Sequence, residues 1–152
     1  MPRTPELVGY REEHADLCAQ VWRGGLLVSV GPAGIYAPEP PRPDERAGWR
    51  RVLVAPGQGI AVLDDIDYVH RTTRLSIAAL TDPADLLDQA IVAARDRLCL
   101  RRVYGVLPDT DAEGARTVAQ RGFTAQVTIP AHLWLDGGQR PGTIWGRCFD
   151  DD

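Results

Sequence analysis

Between Ser76 and Ala94 the chain reads SIAALTDPADLLDQAIVAA, and the spacing of its apolar residues changes partway along. Upstream, RTTRLSIAAL (71–80) alternates as a half-buried strand does. From Pro83 onward, Leu86, Leu87, Ala90, Ile91, Ala94 and Leu98 recur at helical spacing and form one apolar stripe, while Asp85, Asp88, Arg95 and Arg97 face water. A strand that passes through so short a break into an amphipathic helix needs a sheet and a helix layer sharing one core.

The flanking segments extend this pattern. EEHADLCAQVW (12–22) places Ala15, Leu17, Cys18, Val21 and Trp22 on one side of a helix that RGG then stops. RRVLVAPGQGIAVLDDID (50–67) is two β-rich runs around the turn signal PGQG, so 50–80 reads as antiparallel strands. RRVYGVL (101–107) is a strand and DAEGARTVAQRGF (111–123) a short helix ending at Gly122. FTAQVTIPAHLWL and GTIWGRCF are strands joined across DGGQRPG. The order predicts an α+β or mixed α/β sheet. SVGPAGIYAPEPPRPD (29–44) holds five of the twelve prolines, which prevents regular pairing. It reads as a long loop that brings Tyr36 over a pocket.

At 152 residues and 44% apolar content the chain is expected to be a single domain, 1–152. It has no apolar run of the roughly 18 to 20 residues that span a bilayer and no signal-peptide core at its start, so neither a membrane span nor export is expected, and the cytoplasm is. Cys18, Cys99 and Cys148 are widely spaced, without a CxxC pair or a histidine at metal-ligand spacing, and are expected to be reduced thiols with no metal. All seventeen basic residues are Arg, and Lys and Asn are absent, a usage that suggests a GC-rich bacterial genome. A net charge of −4 without a basic run argues against nucleic acid as a partner. A homodimer stays open.

LRRVYGVL followed by a short polar turn and a helix ending in RGF resembles the GNAT superfamily of acyl-CoA-dependent N-acyltransferases. YREEHADLCAQVW and GIAVLDDIDYVHRTTRLSI support the likeness, which spans nearly the whole chain and is nearest to the branch that acetylates ribosomal-protein N-termini. The resemblance implies a GNAT-like, mostly antiparallel, V-shaped sheet flanked by helices, in which the fourth strand splays from the fifth and acyl-CoA enters the gap. It also implies a glycine-rich turn whose backbone N–H groups, at the start of the next helix, receive the pyrophosphate.

At that turn this chain reads ALTDPAD (79–85), without glycine. Asp82 is placed to cap the helix and Pro83 to begin it, while Asp82 and Asp85 put negative charge where a pyrophosphate would sit. No cofactor is therefore expected, with acetyl-CoA or another acyl-CoA as the alternative. The family's strand glutamate, a proton acceptor, falls on Arg74, its later Asn on Asp111 and its Tyr near Val118. Arg74 either binds an anionic group of a substrate or pairs with Asp64, Asp65 or Asp67 across the hairpin. His70, Tyr68 and Asp111 are candidate proton carriers, although Asp109 and Asp111 also read as a turn and helix cap. Tyr36, Ser76, Ile77, Ala79 and Leu80 are the candidate substrate contacts.

Three functions follow. The first is a divergent enzyme of small-molecule metabolism that takes a substrate with an anionic group in the old acceptor cleft. The second is an N-acyltransferase whose acyl-CoA or acyl-carrier donor is held by backbone contacts from Ile77 to Leu80. The third is a noncatalytic binding or assembly subunit.

Overall fold

The period-two runs pair as their alternation requires. In the computed structural model, which describes residues 6–22, 26–27, 42–43, 48–80, 82–135 and 137–149, seven strands form one sheet. They are β1 (Val8–Gly9), β2 (Arg51–Ala55), β3 (Gly59–Asp67), β4 (Thr72–Ala79), β5 (Arg102–Pro108), β6 (Thr124–Leu135) and β7 (Gly138–Cys148), in the order β1-β2-β3-β4-β5-β7-β6. Every neighbouring pair is antiparallel except β4 and β5.

Helix α1 (Ala15–Val21), entered through a 3-10 turn at Glu12–His14, covers one face of the sheet. Its Cys18 and Val21 pack on Val54, Ile60, Val62 and Ala78. Helices α2 (Ala84–Val92) and α3 (Ala112–Ala119) belong to the larger core, where Leu86, Leu87, Ala90, Ile91 and Val118 meet Leu75, Ile77, Val103 and Leu107. Alternate residues of β4 thus serve two layers, which is why its sequence reads as nearly continuous burial from Leu75 to Ala78.

The expected helix from Pro83 to Leu98 is regular only as far as Val92. Ala93–Arg97 form a π turn, closed by the Leu98 amide donating to the Ala93 carbonyl. The apolar stripe stays buried through Ala94, and Arg95 is half-buried beside Asp96. The predicted break DGGQRPG is a correction: β7 begins at Gly138, not Gly142, because Gly137 at φ +76 turns the chain at once and Gly138 already pairs with Leu135. The 29–44 loop and Tyr36 lie outside the described residues, apart from Arg42 and Pro43.

Leu87 has no exposed surface and sits at the centre of the α2 contact. Leu87→Ala is expected to lower unfolding free energy by about 2–5 kcal/mol, read as a shifted urea midpoint with an unchanged slope.

Candidate functional site

β4 and β5 run side by side for only three residue pairs, Thr72↔Arg102, Thr73↔Val103 and Arg74↔Tyr104. Beyond Arg74 they part, although β4 continues to Ala79 and β5 to Pro108. This opening is the cleft into which the family resemblance puts an acyl donor.

Leu26 and Leu27 stand in it. The Leu26 amide donates to the Ile77 carbonyl and the Ile77 amide donates to the Leu26 carbonyl, each at 2.8 Å, an antiparallel bridge on the side β5 has left. The buried Ser76 hydroxyl donates to the Leu27 carbonyl at 2.9 Å. Leu27 is 1% exposed and has φ +59, a left-handed conformation that costs a leucine about 1–2 kcal/mol. Gly105 on β5 makes room for it: a Cβ there would lie 2.7 Å from the Leu27 Cβ.

Further along β4, the Leu80 amide donates to the Gln58 carbonyl at 2.8 Å. Ile77 and Leu80, two of the expected donor contacts, therefore already have backbone partners, and Leu80 is 44% exposed. Ala79 directs its backbone to the same side as Ile77 by strand alternation, and its side chain is half-buried. At the start of α2 the Asp82 carboxylate accepts from the Ala84 amide at 2.9 Å and Pro83 has no N–H. The corner caps itself as expected, with the regular helix beginning one residue later, at Ala84.

Arg74 lies on the face of the sheet that carries α1, opposite Asp64 on one side and Tyr104 on the other. It pairs with Asp64 at 3.1 Å and Asp65 at 3.3 Å, as one of the two sequence readings allowed; its Nε is buried and makes no hydrogen bond among the described residues. A bulge between Asp64 and Asp67, with Asp65 at φ 48, turns the Asp65 carboxylate back toward Arg74. Arg50 forks onto Asp64 with Nε at 3.2 Å and a terminal nitrogen at 3.1 Å. Burial pushes the Asp64 carboxyl up, but the Arg50 bond and charge, the Asp65 amide and the Arg74 charge outweigh it and hold the carboxyl below the ordinary range.

The other candidates do not converge on this point. Tyr68 and His70 occupy the turn before β4, exposed, with the Tyr68 hydroxyl donating to the Gly48 carbonyl and His70 Nδ1 on Asp67 at 2.9 Å. The Asp67 carboxyl is held below its usual range by the His70 backbone amide and the His70 ring. Asp111 is at the far end of the neighbouring strand, where its carboxylate caps α3 by accepting from the Gly114 amide at 2.9 Å. The eight residues of β4, about 25 Å of strand, separate the end of the sheet that carries His70 from the end that carries Ala79. Val118, near which the resemblance puts the family's Tyr, is fully buried. Among the described residues no group of three or more His, Cys, Asp or Glu could hold a metal ion. Sequence reading missed Leu26, Leu27, Gly105 and Arg50. Only Gly105, a glycine inside a buried strand, carried a local sign of close approach.

Asp64 has its pKa lowered by folding, so its stabilisation is present above its unfolded value of about 3.9 and is lost as pH falls through the folded value. Asp64→Asn should lower stability by about 1–3 kcal/mol at pH 7. Its gap from the parent, measured by urea unfolding, should stay constant above about pH 5 and shrink below about pH 4. Gly105→Ala should cost about 1–3 kcal/mol by displacing Leu27, and amide exchange at Leu26 and Ile77 should then accelerate more than at Val62.

No protein-family model matches the sequence, and no curated protein matches it. Solved structures do match. A point mutant of spermidine N-acetyltransferase SpeG from Vibrio cholerae superposes with a TM-score of 0.76 at 13% identity, over 93% of this chain and 92% of that one. Glutamate-to-glutamine mutant forms of the spermidine/spermine N-acetyltransferase SpeG from Vibrio cholerae give 0.74 at 13% identity over 93% of each chain. A further point mutant of the Vibrio cholerae spermidine N-acetyltransferase gives 0.65 at 15% identity over 68% of each. The seven-stranded, mostly antiparallel sheet that opens between β4 and β5, together with these superpositions, gives the chain the fold of the GNAT N-acetyltransferases.

Proposed function

We propose that this GNAT-fold domain is a bacterial, cytoplasmic enzyme of small-molecule metabolism that works in the β4–β5 cleft without binding acyl-CoA along β4 in the usual way. The observation that carries the reading is the two-bond bridge from Leu26 to Ile77. A pantetheine arm laid on β4 needs those same backbone groups, and a pyrophosphate at α2 meets the carboxylates of Asp82 and Asp85 and one donor fewer at Pro83. In this reading the substrate is a small molecule with a carboxylate or phosphate, and Arg74 is the group that meets it. Its unpaired Nε and its position on the sheet face beside Tyr104 support that role. Asp64 and Asp65 hold the guanidinium in place and compete with the substrate for its charge. Since His70, Tyr68 and Asp111 stand apart, the substrate-binding role in this reading falls to Arg74 alone of the four.

The second reading is an N-acyltransferase acting on an amine. Its support is the match to solved structures of spermidine N-acetyltransferases. It requires Leu26 to leave Ile77, and Leu27 to leave Ser76, when the donor arrives.

Titration with acetyl-CoA separates the two. A ligand at a hundred times its Kd adds about 2.7 kcal/mol of stability, so a dose-dependent rise in Tm overturns the first reading and supports the second. An unchanged Tm up to millimolar acetyl-CoA is expected. A panel of small carboxylates and phosphates screened by the same Tm measurement is then expected to yield binders that Arg74→Ala loses; binders indifferent to that substitution would remove Arg74 from the site.

A further inference from the structure

In DLLDQAIVAARDR (85–97) the stripe Leu86, Leu87, Ala90, Ile91 and Ala94 is buried in the core, while Gln89, Val92 and Ala93, at spacings of three and four, share a neighbouring side of the helix. Helix α2 lies on the face of the sheet opposite α1, and therefore opposite Arg74. Its Gln89 side and the stretch Glu6–Leu7 wall a cavity of about 430 Å³, within the roughly 300–1,000 Å³ usual for small-molecule sites. Arg97, from the π turn, lines the cavity too and ties its walls together by donating to the Leu7 carbonyl at 2.9 Å. Most of the wall is apolar.

Gln89 is the polar exception. Both Nε2 and Oε1 of its amide are buried and make no hydrogen bond among the described residues. A carboxamide has N–H groups to give and a carbonyl to offer, so leaving both ends unmet costs the fold stability, and the long side chain is free to turn its amide into the cavity it lines. We propose that this cavity binds a small neutral molecule carrying an amide or lactam on a flat apolar ring. The Gln89 amide turns to meet the ligand's N–H and C=O in a reciprocal pair of hydrogen bonds, and the ring lies against Leu7, Val92 and Ala93. A carboxylate would accept from Nε2 and leave Oε1 unmet; a cation would do the reverse. The cavity calls for neither charge, because Arg121 answers Asp88 at 2.9 Å and Glu6 and Arg97 offset one another in sign. Water can serve a turned amide, but only a ligand with an apolar body also covers these walls. The sheet separates the site from Arg74, so the inference stands independently of the role proposed for that residue.

The test is an NMR titration of the whole chain with benzamide to about 10 mM, enough to reveal a millimolar Kd, beside benzoate, which keeps the ring and replaces the amide by a carboxylate. Benzamide is expected to give saturable shifts at the backbone amides of Leu7, Val92 and Ala93 and at the Gln89 side-chain NH2, and the same shifts in Arg74→Ala. Gln89→Leu removes an unpartnered amide at nearly constant volume, so it should keep or raise Tm and weaken benzamide about tenfold. Val92→Glu, at a position 48% exposed, should spare the fold and weaken benzamide as well. No saturable shift at these residues overturns the proposal, as does benzoate binding there at benzamide's strength. Parent affinity in Gln89→Leu overturns it too; should that variant fail to fold, parent affinity in Val92→Glu does so in its place.

Discussion

The parting of β4 from β5 is the constraint on which the rest of this structure depends. Two parallel strands that separate after three pairs leave backbone groups that must find other partners, because a buried unpaired N–H or C=O costs about as much as a lost hydrogen bond. In this chain the need is met from within. Leu26 supplies the two bonds to Ile77, Ser76 anchors the Leu27 carbonyl, and Leu27 fills the space Gly105 leaves open. The left-handed backbone of Leu27 is stable because these contacts fix it from several directions. On this side of β4 the Ile77 amide and carbonyl are both bonded within the chain.

The Arg50–Asp64–Arg74–Asp65 cluster, beside the point where the strands part, obeys the same requirement with side chains. Asp64 is 12% exposed at its side chain and is tolerated there because two guanidinium groups and a backbone amide share its oxygens. Arg74 is held in turn by two carboxylates, one of which reaches it only because β3 bulges. The four side chains sum to no net charge, so the cluster adds shape and hydrogen-bonding direction to the cleft wall more than it adds a field. The buried Nε of Arg74 is the donor this arrangement leaves unused.

How much of this was legible in the sequence depended on how local the cause was. The α2 stripe, the PGQG hairpin and the Asp111 cap are written in neighbouring residues, and each appears where the spacing put it. Asp82 and Pro83 likewise revealed a helix start that serves itself. The start of β7 was hidden because Gly138 to Pro141 has loop composition and becomes strand only by pairing with its neighbours in the sheet. Arg74 had two readings with equal local support, and the backbone bulge that brings Asp65 to it leaves no composition signal. Leu26 and Leu27 were invisible for a stronger reason. Their bridge joins main-chain groups some fifty residues apart, and any residue except proline can offer those groups.

That contrast bears on how a familiar fold is read for function. The sheet order and the helix pattern are fixed by burial, which many sequences satisfy, and so they survive at 13% identity to the matching acetyltransferases. The donor contacts of a cleft rest on a few backbone groups being free, which burial does not enforce. When Leu26 takes Ile77 and Asp82 takes the first amide of α2, the architecture is untouched while these main-chain groups are occupied. Under the proposed function, what the cleft recognises is then carried by side chains at the opening such as Arg74, which sequence drift can change without disturbing the sheet.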